Sequence, residues 1–239
     1  MGRFPDKRVV ITGAASGLGR SLSYCFALRG WRIAVTDIDK AGAEQTLAGV
    51  EHRGGGGFVF GCDVTRLDDF HSLEEELKNR WGGVDVVINN AGVFCRKPVL
   101  ALEVGDWQRV LDINLLGVVR SCRTLAALLV RQKRGQVVNI ASSTGLLPPS
   151  RQSAYSASKA GVIALSETLA QELAPFNIGV TVVCPSYFES NLHERVIEND
   201  LTSDDLAELI YDAVESNEFM VIPHERVRRA WQDKVRAQW

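Results

Sequence analysis

The sequence predicts an α/β fold in which a parallel sheet of about seven strands is doubly wound by helices on both faces. Three observations carry this expectation. Short apolar runs without polar alternation recur along the chain, as strands covered on both faces require. Stretches of helical period separate them, and parallel neighbours need crossovers of that kind. A glycine-rich turn, Thr12-Gly13-Ala14-Ala15-Ser16-Gly17-Leu18-Gly19, joins the first strand to the first helix.

The elements follow in order. The run Arg8 to Ile11 leads into Gly13, a helical pattern extends to Arg29, and Trp31 to Thr36 reads as the second strand. Phe58 to Cys62 reads as the third strand, Leu67 to Trp81 as a helix and Val84 to Ile88 as the fourth strand. A long helix near Trp107 to Lys133 precedes a strand at Gln136 to Ala141. The helix Ser153 to Leu173 ends before Pro175, which cannot continue it, and Gly179 to Cys184 supplies another strand. Leu206 to Val214 reads as helix, Glu218 to Ile222 as a short strand, and the remainder as a charged tail containing Trp231 and Trp239. The run Gly54 to Gly57 reads as a flexible surface turn.

Composition narrows the class of partner. With 239 residues, 46% hydrophobic and 23% charged, the chain has the make-up of a soluble globular protein. A formal net charge of -2 offers no general attraction for nucleic acid or an anionic membrane surface. No run of about 18 consecutive apolar residues occurs, and the start MGRFPDKRVVITG lacks a secretory apolar stretch. The expectation is a cytoplasmic protein acting on a small molecule, with neither nucleic acid nor membrane as partner. Cys25, Cys62, Cys95, Cys122 and Cys184 are scattered and never spaced as Cys-x-x-Cys, so reduced structural thiols are expected. His52, His71, His193 and His224 are too dispersed for a metal site, and none is expected. His71 and His224 read as solvated helix positions, which leaves His193 as the one able to approach substrate. Glu74 to Glu76 reads as a surface run, and Trp31, Trp81, Trp107 and Trp231 as core or subunit-interface residues.

The glycine turn places exposed backbone N–H groups and a helix dipole where a pyrophosphate can bind, with Gly13, Ser16, Gly17, Leu18 and Gly19 as candidates. No Gly-Lys-Ser/Thr ending is present, which disfavours a nucleoside-triphosphate loop. Asp37 follows the second strand 18 residues beyond the last glycine, where a carboxylate accepts hydrogen bonds from ribose hydroxyls and repels a 2′-phosphate. NAD is therefore the expected cofactor. The competing reading is that Asp37 merely caps the helix starting near Asp39. Asp63 and Val64, after the third strand, are weaker candidates for adenine contact.

Tyr155-Ser156-Ala157-Ser158-Lys159 puts a phenol and an ammonium on one helix face. A nearby cation favours phenolate and lowers the phenol from its usual ~10, which makes removal of an alcohol proton feasible. Together with the glycine turn, Asn89-Asn90-Ala91-Gly92, Asn114 in Asp112-Ile113-Asn114, and Ser142, this pair resembles the short-chain dehydrogenase/reductase family over most of the chain. The resemblance implies a Rossmann-type fold and a single dinucleotide-binding and catalytic domain over residues 1–239, with a substrate loop near 186–203. It implies that Ser142 hydrogen-bonds the substrate oxygen, Tyr155 exchanges its proton, Lys159 holds the nicotinamide ribose, and Asn114 positions a water. Asn90 is carried over to the cofactor site. The usual spacing selects Ser142 over Ser143, with Ser143 and Thr144 lining the pocket.

Two departures stand out. The family's Pro-Gly is Pro185-Ser186 here, and its Thr five residues after the proline is Ser190, which retains a hydroxyl for the nicotinamide carboxamide. Val93, Phe94, Leu146, Leu147, Tyr187, Phe188 and Leu192 flank the expected site and favour a hydrophobic substrate. Few residues separate Ser190 from the helix expected at Thr202 or Ser203, and at ~3.3 to 3.6 Å each they make a connection but scarcely a folded lid. Either the pocket is open, or a covering stretch is missing between His193 and Ser203. The activity expected is reversible hydride transfer between NAD and a secondary alcohol or ketone, by a homodimer or homotetramer built through the helices holding Asn114 and Tyr155. The alternative is a catalytically silent NAD-binding sensor or scaffold, against which Ser142, Tyr155 and Lys159 argue.

Overall fold

The computed structural model describes residues 3–186 and 201–237. Seven strands form one sheet: β1 (Arg8–Thr12), β2 (Arg32–Asp37), β3 (Gly56–Gly61), β4 (Val86–Asn89), β5 (Gly135–Ile140), β6 (Ile178–Val183) and β7 (Met220–Val221). Their order is β3-β2-β1-β4-β5-β6-β7, and every neighbouring pair is parallel. Winding proceeds outward from β1 in one direction and, from β4, in the other. This is the doubly wound Rossmann-type sheet that the alternation of apolar runs and helices predicts.

Side-chain alternation explains why the central strands are apolar at successive positions, since each face meets its own core. Val9 and Ile11 of β1 enter one core with Val86, Ile88 and Val138, while Val10 enters the opposite core with Val87 and Val137. The first core is closed by α1 (Gly17–Ala27), α2 (Lys40–His52) and α9 (Ser203–Ser216). The second is closed by α3 (Leu67–Trp81) and the long helical run Val104–Gln132. That run comprises α4 (Val104–Leu111), α5 (Gly117–Ser121) and α6 (Ala127–Gln132), joined by π-helical turns at Asp112–Leu116 and Cys122–Ala126. By length and composition it could cross a membrane, but half of its most apolar stretch is buried inside the fold. A third cluster joins α7 (Ser143–Leu146) and α8 (Ser153–Leu173) to α10 (Glu225–Ala237).

Four expectations need correction. The segment after the last strand is not a loose charged tail but the amphipathic helix α10, which buries Val227 and lays Trp231 against the third cluster. Gly54 to Gly57 is not wholly a turn. Gly54 has φ +77°, but Gly56 and Gly57 belong to β3, and a Cβ at Gly57 would strike the Ile33 carbonyl. His224 is not on a solvated face: its Nδ1 accepts from the Ser186 N–H at 3.4 Å. Glu74, finally, is largely covered, bridging Lys78 and Arg131.

The tryptophans follow the core expectation unevenly. Trp31 is 1% exposed and edge-on to Phe26, Trp81 packs on Phe58, and Trp107 is half-buried. Cys25, Cys62 and Cys184 are buried free thiols.

At the amino-terminal ends of β1 and β4, Arg8 and Asp85 form a buried pair. Arg8 donates from Nε to Oδ2 at 2.9 Å and from Nη2 to Oδ1 at 3.0 Å, and its backbone N–H adds a third bond to Oδ2 at 3.0 Å. Removing Asp85 leaves the buried guanidinium with only the more exposed Asp6 carboxylate, 3.1 Å from Nη2, and without its bidentate partner. Asp85→Ala should therefore destabilise the protein by about 3–5 kcal/mol, read as a lowered urea midpoint at unchanged m-value.

Candidate active site

The strand order reverses between β1 and β4, and the crevice beyond their carboxyl ends opens into a cavity of about 350 Å³. The glycine turn forms one end of it. Gly13 has φ +66°, and a Cβ there would lie 2.8 Å from the Cα of Ala91, so only glycine lets the turns after β1 and β4 meet. Gly19 does not line the cavity; a side chain on it would run into the Gly13 carbonyl, so it serves the packing of α1 on β1. Ser16 caps α1 with no side-chain hydrogen bond to the helix, leaving the first-turn N–H groups without a side-chain acceptor.

Two neighbouring strands hold this turn in place. Asp37, at the end of β2, accepts from the Ala15 N–H at 2.9 Å through Oδ2 and from the Asp39 N–H at 2.9 Å through Oδ1. The cap of α2 is Asp39 itself, which accepts from the Gly42 N–H at 3.1 Å, and Asp37 lines the cavity. Asn90, after β4, donates from Nδ2 to the Thr12 carbonyl at 2.9 Å and to the Gly13 carbonyl at 3.0 Å. Asp63 and Val64 line the same end, Asp63 accepting from the Thr65 N–H and hydroxyl.

The other end gathers Ser142, Tyr155 and Lys159, all at most 8% exposed. Ser142 follows β5 and caps α7, its Oγ accepting from the Thr144 N–H at 3.2 Å. Tyr155 and Lys159 are one turn apart on α8, as their spacing requires, and Phe94 stands edge-on to the phenol with ring centroids 5.0 Å apart. Lys159 Nζ donates to the Ile140 carbonyl at 2.8 Å and lies 5.7 Å from the Tyr155 ring centroid.

Burial dominates the protonation of this pair. It pushes the Tyr155 phenol up to about 12, with a hydrogen bond to Ser142 acting in the opposite sense. It lowers the Lys159 ammonium to about 8, opposed by the nearby Cys184 thiol. The phenol thus stands above its ordinary value rather than below it, because burial exceeds the effect of the Ser142 hydrogen bond, and the Lys159 ammonium is turned to the Ile140 carbonyl. At neutral pH both groups carry their protons.

Asn114 does not line the cavity. It sits in the first π-helical turn, 1% exposed, and clasps the strand of chain after β4. Its Oδ1 accepts from the Val93 N–H at 2.8 Å, while Nδ2 donates to the Val93 carbonyl at 2.9 Å and to Ser158 Oγ at 3.1 Å.

The match to a family model decides the kinship: residues 7–201 fit the model described as short chain dehydrogenase. The chain belongs to the short-chain dehydrogenase family. It is an oxidoreductase of that family. A 3-oxoacyl-acyl-carrier-protein reductase of Thermotoga maritima is 33% identical over 196 residues, 82% of this chain and 80% of that protein. A probable oxidoreductase, EphD, of Mycobacterium tuberculosis is 35% identical over 80% of this chain but only 32% of its own length. A short-chain dehydrogenase/reductase of Burkholderia phymatum, solved in complex with NAD, superposes with a TM-score of 0.91 at 25% identity, covering 100% of this chain and 97% of that one.

Set against the family's pattern, Gly13, Ser16, Gly17, Leu18, Asp37, Asp63, Val64, Asn90, Ser142, Tyr155, Lys159 and Pro185 line one cavity, with Ser143 and Thr144. Gly19 and Asn114 stand behind its wall. Val93 lines it, whereas Leu146 and Leu147 join the third core cluster. Ser190, Tyr187, Phe188, Leu192, His193 and the connection toward Ser203 fall at residues 187–200, outside the described residues, as does the question of a lid. Gln152 and Ile113 are wall residues that the sequence reading passed over. Gln152 stands three positions before Tyr155, a spacing that could have marked it.

Asn114→Ala removes the clasp on Val93. The expected result is a loss of about 1–3 kcal/mol in stability and faster hydrogen exchange at the Val93 amide, which NMR on the purified variant would read.

Proposed function

We propose that this oxidoreductase moves a hydride reversibly between NAD and a secondary alcohol or its ketone. The observation that carries the reading is that one cavity holds the glycine turn and Asp37 at one end and Ser142, Tyr155 and Lys159 at the other. The residues present fit a dinucleotide: a turn that excludes side chains at Gly13, α1 N–H groups without a side-chain acceptor, and a carboxylate placed at the end of β2. The names of the relatives, an oxoacyl reductase and an NAD complex, support both the carbonyl chemistry and the cofactor.

When bound, the dinucleotide supplies or accepts the hydride. In the proposed site Ser142 donates to the substrate oxygen, and Tyr155 gives its proton to that oxygen during reduction or receives it during oxidation. Lys159 stabilises the phenolate that reduction leaves behind. Pro185 borders the nicotinamide end, and Asn114 acts from behind the wall by fixing Val93. We further propose a cytoplasmic homodimer or homotetramer built through the helices carrying Asn114 and Tyr155, whose exposed Val104 and Leu116 are available for burial.

Two outcomes test the reading. Tyr155→Phe keeps the ring and removes the proton donor, so turnover should fall at least ~100-fold in a screen of alcohols and ketones, and Lys159→Ala should lose both turnover and NAD affinity. Near-native turnover by Tyr155→Phe would assign the proton to another group. In the second test NAD should bind more tightly than NADP, because Asp37 repels a 2′-phosphate, and Asp37→Ala should narrow the gap. Fluorescence titration of both cofactors measures it, and tighter binding of NADP by the unaltered protein would reverse the assignment.

A further inference from the structure

Gln152 is a polar residue of the cavity wall to which proton exchange and cofactor binding give no role. It stands at the amino terminus of α8, is 4% exposed, and lines the same cavity as Ser142 and Tyr155. It does not serve the helix, since its side chain makes no capping hydrogen bond. Its Oε1 is buried with no hydrogen-bond partner. Among the described residues, no other wall residue of this cavity carries a buried side-chain polar atom in that condition.

An unpaired buried amide is costly, and an apolar residue of similar size would fill the space without that cost. Such an atom calls for a partner that arrives from outside. Gln152 and Tyr155 are three residues apart on one helix, so their side chains border adjacent parts of the cavity. A substrate whose reacting oxygen lies at Tyr155 therefore presents its neighbouring atoms to Gln152. Oε1 is closed off as the side chain stands, so the amide turns about its side-chain torsions either to accept from a hydroxyl or to donate to a carbonyl.

We infer that Gln152 is a specificity-determining residue that binds a second oxygen function of the substrate, a hydroxyl or carbonyl within a few bonds of the carbon that exchanges hydride. The substrate class is thus a vicinal or nearby diol, hydroxyketone or diketone rather than a plain apolar alcohol. This rests on the assignment of Ser142 and Tyr155 as the groups that hold the reacting oxygen.

Matched substrates separate the two claims. With purified enzyme and NAD, kcat/KM is measured for cyclohexanol against vicinal cyclohexanediol, and with NADH for cyclohexanone against the vicinal diketone. The inference expects the second oxygen to raise kcat/KM at least ~10-fold, since a site built to hydrogen-bond a group discriminates against analogues lacking it. In Gln152→Leu that ratio should fall toward one, whereas damage of a structural kind lowers both substrates in parallel and preserves the ratio. Gln152→Glu, which keeps the acceptor and loses the amide donor, should retain the diol preference and lose the diketone preference. Equal kcat/KM for both members of each pair in the unaltered enzyme, or a ratio unmoved in Gln152→Leu, overturns the role of Gln152 and leaves hydride transfer standing. Turnover of none of the four compounds by an enzyme that binds NAD would count against both.

Discussion

The site depends on β1 and β4 being held side by side at their carboxyl ends. Thr12 Oγ1 accepts from the backbone N–H groups of Asn90 at 3.0 Å and Ala91 at 3.2 Å, and the Asn90 amide returns two bonds to the Thr12 and Gly13 carbonyls. These strands belong to the two halves of the winding, and their junction is where the crevice forms. A clasp between backbone and short polar side chains fixes the distance between the turns to within a hydrogen bond. Gly13 is then obligatory because Ala91 and the Asn90 amide occupy the place of its Cβ. Asp37 completes the arrangement from β2, so the glycine turn is gripped from both sides.

A second group of buried polar residues orients α8, which carries Tyr155 and Lys159. Asn89 of β4 donates to Asn139 of β5 at 2.8 Å, and Asn139 donates to Ser166 of α8 at 2.9 Å. Nearer the site, Asn114 bonds Ser158 of the same helix while holding Val93. Apolar packing alone leaves a helix free to slide or rotate by small amounts across a sheet. Hydrogen bonds with defined partners at two heights remove that freedom, which a proton-exchanging phenol needs. The π-helical turn at Asp112–Leu116 is the local deformation that turns Asn114 toward both partners at once.

How much of this was legible in the sequence depends on the range of the interaction. The helices Leu67–Trp81 and Ser153–Leu173 were readable to the residue because their apolar period and terminators are local. The parallel sheet of seven strands followed from alternation and the first turn, whereas the order of its strands is set by pairing between distant segments. What stayed hidden is set by distant partners. Nothing near Asn114 announces that its amide is spent on Val93 and Ser158, and nothing near His224 announces Ser186. The last helix was missed because its surface is densely charged and only Val227 and Trp231 mark its buried side. Gly56 and Gly57 read as a turn by composition, yet strand pairing with Arg32 and Ile33 recruits them into β3.

The protonation of Tyr155 and Lys159 shows why residue type and spacing were insufficient to forecast their chemistry. Spacing places an ammonium near a phenol and suggests mutual stabilisation of the charged forms. Burial, however, disfavours every charged form, raising the phenol to about 12 and lowering the ammonium to about 8. The pair therefore rests as neutral phenol and ammonium at neutral pH. The same low-dielectric surroundings that penalise an isolated phenolate strengthen its attraction to the ammonium once a proton has left. In the proposed reaction the help from Lys159 thus grows as the proton moves from Tyr155 to the substrate oxygen, so its charge acts more on the transition state than on the resting phenol.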